Sequence, residues 1–153
     1  MPNEPLIHCE FDSDKLLVKL NETLPGEVKS ISPFIDKVMT IIKGMGCAGG
    51  REFEVELALN EALSNAIKHG SAHDPSKKIQ CCVACDHERG MLIIIRDPGP
   101  GFDPASIPSP VIGQNVFSTG GRGIYLINQL VDEVRFEKGG TEIHMRMNPP
   151  SRR

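Results

Sequence analysis

No stretch of this sequence stays apolar for the roughly 18 residues a membrane-spanning helix needs, so the chain is not expected to cross a bilayer. The opening residues, "MPNEPLIHCEF", lack the basic-then-apolar order of a secretory leader, and the expected location is the cytoplasm. A basic surplus is missing as well. Lys and Arg number 17 against 20 Asp and Glu, for a formal net charge of -3. That argues against a general nucleic-acid binder, whose phosphate contacts require a basic footprint. No repeat, low-complexity stretch or linker divides the 153 residues. The length fits a single domain, 1–153, able to bury a core without staples.

Cysteine is scarce and odd in number: Cys9, Cys47, Cys81, Cys82 and Cys85. The cluster "CCVAC" holds one C-x-x-C pair, Cys82 and Cys85. The second pair that would complete a four-ligand zinc site is absent, although His87 is close in sequence. On a strand, Cys81 and Cys85 would face one way and Cys82 the other. The expectation is of small apolar residues filling a strand in a reducing compartment.

What is present is a series of short strands and two strong helix patterns. "PLIHCEF" and "KLLVKLNETL" read as strands around "DSD". "SISPFIDKVMTIIKGMG" starts as a helix, with Pro33 in its first turn and Phe34, Val38, Ile41 and Ile42 at helical spacing; Gly44 and Gly46 are expected to end it. "REFEVELALNEALSNAIKHG" puts Val55, Leu59, Ala62, Leu63 and Ala66 on one face, with Gly70 as the expected stop. "IQCCVACD" and "GMLIIIRD" form a hairpin around "HERG". The run Met91 to Ile95 marks a central strand, covered on at least one side. From Pro98 to Thr119 the chain is rich in Pro, Gly, Ser and Asn, which suggests a lid at about 98–120. "GGRGIYLINQLVDE" is a glycine-rich entry into an amphipathic helix. "EVRFEK" and "TEIHMRM" form a closing hairpin that alternates Ile143, Met145 and Met147 against Glu142, His144 and Arg146. The order is that of an α+β fold: a two-layer α/β sandwich with a mixed, mostly antiparallel sheet and helices on one face.

Three stretches carry residues suited to chemistry. In "NEALSNAIKHG", Glu61 and Asn65 lie four apart on one helix edge, about 40° from each other. A carboxylate and an amide there could hold a divalent cation and activate a hydroxyl or water; a solvated polar edge would look the same. In "RDPGPGFDP", Asp97 ends an apolar strand. A carboxylate only accepts hydrogen bonds, so it suits the amino group of adenine and repels the carbonyl of guanine. Gly99 and Gly101 allow close backbone approach, though a tight turn capped by Asp97 would also account for the pattern. In "STGGRGIYLI", Gly120, Gly121 and Gly123 precede or open a helix, where free N–H groups make an anion site; a flexible helix entry is the plainer reading. Familiar phosphate motifs are absent. There is no G-x-x-x-x-G-K-[ST], "GPGFDP" and "GRGIYL" both lack the third glycine of G-x-G-x-x-G, and no eukaryotic-type protein-kinase signature set is present.

Taken in order, "NEALSNAIKHG", "RDPGPGFD", "GGRGIYLI" and "GGTEIHM" resemble the N-box, the two glycine boxes and the final G-T of the GHKL (Bergerat-fold) ATPases. The resemblance is closest to the small bacterial anti-sigma-factor serine/threonine kinases and covers roughly residues 5–147. It implies the Bergerat ATP-binding fold, with ATP and Mg²⁺ as cofactors. Glu61 would match the general base and Asn65 the Mg²⁺ ligand. Asp97 would match the adenine reader, with Gly99 and Gly101 on the base and ribose side. Gly121, Arg122 and Gly123 would surround the phosphates, and Thr141 would support the adenine pocket. His69 would be structural. One departure stands out: some kinases of the family carry an arginine just before the second glycine box, where this chain has Ser118 and Thr119.

The implied activity is ATP-dependent phosphorylation of a STAS-type anti-anti-sigma protein by a chain that also binds a sigma factor. No direct nucleic-acid or membrane partner is implied, and a homodimer is compatible. The alternative is a nucleotide-gated binding module without kinase activity. A histidine kinase would need a phosphoacceptor helix pair for which the chain has no room.

Overall fold

Met91 to Ile95 follow one another without a polar residue, and this run lies at the centre of the sheet. In the computed structural model, which describes residues 18–86, 88–100 and 126–149, it forms the strand Gly90–Arg96, every residue of which is buried. Five strands are described: β1 (Val18–Pro25), β2 (Lys78–Asp86), β3 (Gly90–Arg96), β4 (Glu133–Glu137) and β5 (Glu142–Met147). They are ordered β1-β2-β3-β5-β4, and each neighbouring pair is antiparallel. Both expected hairpins form: β2–β3, and β4–β5 through a 3-10 turn at Lys138–Gly140.

Among the described residues, α1 (Ile31–Met45) and α2 (Glu52–Asn65) pack on one face of the sheet. α1 buries Ile31, Phe34, Ile35, Val38, Met39 and Ile42. Gly44 lies within the helix, and the left-handed Gly46 alone caps it. α2 buries Val55, Ala58, Leu59, Ala62 and Leu63. These side chains pack on Ile79, Cys81, Val83, Cys85, Met91, Ile93, Ile95, Met145 and Met147 from the sheet to form one core. The alternation of strand residues sends Cys82, Ala84, Leu92 and Ile94 to the opposite face, where they form a second, small cluster. Helical residues 126–130 join the main core through Ile127. Just beyond them, the Arg51 guanidinium reaches across from the start of α2. It donates to both Asp132 carboxylate oxygens (3.2 and 3.0 Å) and to Leu130 O (2.9 Å).

α2 ends differently from the expectation. Gly70 does not stop it. The helix widens into a π-helical turn, Ala66–Ser71, and the left-handed cap falls on Ala72. Gly70 is instead buried inside that turn. The expectation of free thiols is corrected as well: Cys47 and Cys85 form a disulfide. Past the α1 cap, the Cys47 N–H returns to Ile42 O (3.1 Å), and Cys47 is buried in the core that also contains Cys85. Cys81 and Cys82 are buried and take no part in that disulfide, and they face opposite ways as alternation requires.

Candidate functional site

The site begins where β3 ends. The Asp97 N–H continues the β3–β5 ladder by donating to Thr141 O at 2.8 Å, so two of the sequence-predicted residues are joined through the backbone. The Thr141 hydroxyl donates to Lys138 O (2.8 Å), which leaves its oxygen able to accept from a ligand or water. Asp97 is half-buried. Burial pushes its carboxyl above the usual carboxylate range, and a hydrogen bond from the Gly99 N–H to Oδ1 (2.8 Å) offsets this only in part. Oδ2 accepts from no group among the described residues.

The π-helical turn lies directly against this carboxylate. A Cβ built on Gly70 would stand 2.5 Å from Asp97 Oδ1 and closer still to its Cβ and Cγ. A Cβ on Gly99 would stand 2.6 Å from Gly70 Cα and 2.9 Å from Gly70 O. Thus the bare backbone at Gly99, expected to admit a ligand, admits the Gly70 backbone as well. Sequence reasoning read Gly70 as a helix stop. The signal it missed was a glycine one turn beyond Asn65 in a helix whose apolar face continues through Ala66 and Ile67.

The turn is held from its other side by Ser71, which is fully buried. The Ser71 hydroxyl lies 2.9 Å from Gly26 O and 3.0 Å from Ile67 O, and donates to these carbonyls. The Ile67 carbonyl also accepts from the His73 N–H (3.0 Å), so the serine joins the backbone bond that closes the turn. On Gly26, a Cβ would overlap Ser71 and lie 2.5 Å from Lys77 O. The path from α2 to β2 is therefore packed between the end of β1 and the end of β3.

Glu61 and Asn65 both lie on α2 before this turn, half-exposed, and their side chains have no hydrogen-bond partner among the described residues. His69 is exposed. Gly101, Gly121, Arg122 and Gly123, together with all but the first residues of the suggested lid, lie outside the described residues. The described residues contain no cluster of three His, Cys, Asp or Glu side chains that would cage a metal. A divalent cation at Asn65 would need further oxygens from a ligand, as Mg²⁺ commonly takes from phosphates. The site thus combines a desolvated acceptor at a strand end with an amide and a carboxylate one to two turns up the adjoining helix. Such a set suits a ligand with an amino-bearing ring at one end and an anionic, cation-binding group at the other.

Known proteins point the same way. A family model described as a histidine kinase-like ATPase domain matches residues 24–147. A serine-protein kinase RsbW of Bacillus subtilis (strain 168) is 29% identical over 92 residues, which is 55% of this chain and 56% of that protein. The protein of the same name from Bacillus licheniformis is 31% identical over 93 residues, with the same shares. That of Staphylococcus aureus (strain MSSA476) is 25% identical over 129 residues, 77% of this chain and 81% of the relative. The chain thus spans little more than half the length of the Bacillus relatives it matches.

Proposed function

The chain belongs to the histidine kinase-like ATPase domain family, and from that premise we propose that it is an ATP-dependent protein serine/threonine kinase acting as an anti-sigma factor. In this reading it binds a sigma factor and phosphorylates a STAS-type anti-anti-sigma protein. The observation that carries the nucleotide assignment is Asp97: a half-buried carboxylate at the end of β3, with one oxygen taken by Gly99 and the other without a donor among the described residues. The latter oxygen accepts from the adenine amino group, and Thr141 supports the same pocket. The relatives named as serine-protein kinases support transfer to a serine.

Asn65 would hold Mg²⁺, which would supply positive charge against the phosphates. Gly121, Arg122 and Gly123 would surround the phosphates. Glu61 takes the proton of the acceptor hydroxyl as that oxygen bonds to the γ-phosphorus and ADP departs. With so little covalent work for the protein, catalysis rests on positioning and charge stabilisation.

A second reading, a nucleotide-gated binding module, is favoured by one feature of the sequence: Ser118 and Thr119 stand where some kinases of the family carry arginine. The test mixes the protein with γ-labelled ATP, Mg²⁺ and an anti-anti-sigma protein. Label on a serine or threonine of the acceptor is the expected result. ATP and sigma-factor binding with no label transferred would favour the gated module.

A further inference from the structure

Two glycines, Gly70 and Gly99, meet at Asp97 beyond the helix that carries Glu61 and Asn65, and only Gly99 lies in the loop after β3. We propose that Gly70 is a positioning residue for nucleotide selectivity: its bare α-carbon seats the Asp97 carboxylate against the end of α2 and determines which of its oxygens faces the ligand. This rests on the reading of Asp97 as the acceptor for adenine.

The geometry is specific. On Gly70 a Cβ would overlap the Cβ, Cγ and Oδ1 of Asp97 at once, so it is the whole side chain, not a flexible tip, that occupies the space. Gly70 has no left-handed φ, unlike Gly46 or Gly90. Its requirement is therefore space and not backbone conformation. Gly99 packs onto the Cα and carbonyl of Gly70 and donates its N–H to Oδ1. With Oδ1 held on the Gly70 side, Oδ2 is the oxygen left for a donor on the ligand. The π-helical turn cannot simply retreat from an added methyl. Ser71, fully buried, ties it to Gly26 O, and Gly26 in turn has no room for a Cβ beside Ser71 and Lys77 O. A methyl at position 70 would therefore displace Asp97, turning the acceptor away from the base. Gly70 lies within the π-helical turn that follows α2, Ala66–Ser71.

The test is a double-mutant cycle with Gly70→Ala and Asp97→Gly, alone and combined, on the full chain. ATP and GTP affinities are read by calorimetry and stability by thermal melting. Gly70→Ala is expected to weaken ATP binding by about tenfold or more, as for loss of a hydrogen bond to a charged acceptor, with a smaller loss for GTP, so that the ATP-to-GTP ratio falls. The double variant is expected to bind ATP no worse than Asp97→Gly alone, because the two changes remove the same contact. Wild-type affinity and selectivity in Gly70→Ala would overturn the proposal, as would losses that multiply in the double variant. If Gly70→Ala fails to fold, recovery of folding in the double variant supports it, and failure of both overturns it. A wild-type chain that bound no adenine nucleotide would sink the functional reading instead, while the melting cycle would still decide whether residue 70 sets residue 97.

Discussion

Arg96 and Glu142 stand opposite each other across β3 and β5, and the arginine Nε donates to Glu142 Oε2 at 2.8 Å. Both are buried on the sheet face away from α1 and α2. Arg96 also donates to Gln80 Oε1 (3.1 Å), and Glu142 Oε1 lies 2.7 Å from His144 Nε2. The row Gln80–Arg96–Glu142 therefore ties β2, β3 and β5 together one residue before the Asp97–Thr141 backbone bond. Arg96→Met should cost about 3–5 kcal/mol, because it leaves Glu142 buried without its main counter-charge. Urea unfolding at neutral pH measures it; a loss below about 1 kcal/mol would mean that the row contributes little.

The same pair sets an acid limit. Burial alone would raise the Glu142 carboxyl, but hydrogen bonds and charge from Arg96 and His144 outweigh it and hold the group below its usual range. A carboxyl depressed on folding contributes stability above its unfolded pKa, and that contribution is lost as pH falls through the folded value. Unfolding free energies measured from pH 7 down to about pH 3 should fall less steeply for Glu142→Gln than for the wild type.

Asp97 has the opposite sign. Its carboxyl is raised by burial, so the ionised group is a cost to the folded state. That cost is present above the folded pKa and vanishes below the unfolded value of about 3.9. Asp97→Asn keeps an oxygen for the Gly99 N–H and removes the charge. The nucleotide-free variant should therefore melt higher than wild type at pH 7, with the difference closing at low pH. It should also bind ATP ten- to a hundredfold more weakly, about 1.5–3 kcal/mol, as for loss of a hydrogen bond to a charged group. A variant that is both less stable and unimpaired in binding would contradict both assignments.

Variants at Glu61 and Asn65 should separate chemistry from binding. Glu61→Gln should bind ATP nearly as wild type and transfer phosphate about 10²–10⁴-fold more slowly, the usual contribution of a general base. Asn65→Ala should lose Mg²⁺-dependent binding and transfer together. Calorimetry with and without Mg²⁺, beside single-turnover transfer, distinguishes the two. Equal loss of binding in both variants would remove Glu61 from the role of base.

The Cys47–Cys85 disulfide closes a loop across a sequence separation of 38. Reduction, or Cys47→Ser, should lower stability by about 2–4 kcal/mol, and the Cys47→Ser protein should no longer respond to reductant. Cys81 should stay silent toward a thiol reagent at neutral pH in the native state, since burial, aided by Cys82, pushes its thiol up to about 12. Urea unfolding with and without reductant checks the first, and mass spectrometry of the labelled protein the second.

Much of this arrangement was legible beforehand, for local reasons. Met91 to Ile95 read as a central strand because five apolar residues in succession have no solvent side to face. α1 was legible from Pro33 and the Phe34–Val38–Ile42 spacing, and the two hairpins from their turns. Asp97, Glu61 and Asn65 were legible as odd polar residues in or beside apolar patterns. Other features were not. Glu142 and His144 alternate with Ile143 and Met145 like an ordinary solvated face, yet both are buried, and Glu142 is paired with Arg96 from a distant strand. Gly44, read as a stop, sits inside α1, because glycine only weakens a helix that packing holds.

What the sequence by itself determined is the periodicity: which residues share a face, where strands turn, and which acid ends the central strand. Those are set within a few residues by backbone geometry and side-chain polarity. Only the tertiary structure decided the contacts between elements. The Cys47 and Cys85 sulfurs meet because the cap of α1 carries one of them over β2. Gly70 became a seat for Asp97, instead of a helix stop, because Ser71 and Gly26 hold the π-helical turn against the end of β3. A glycine that terminates a helix and a glycine that yields space to a carboxylate read the same along the chain, and differ only in what lies across from the missing Cβ.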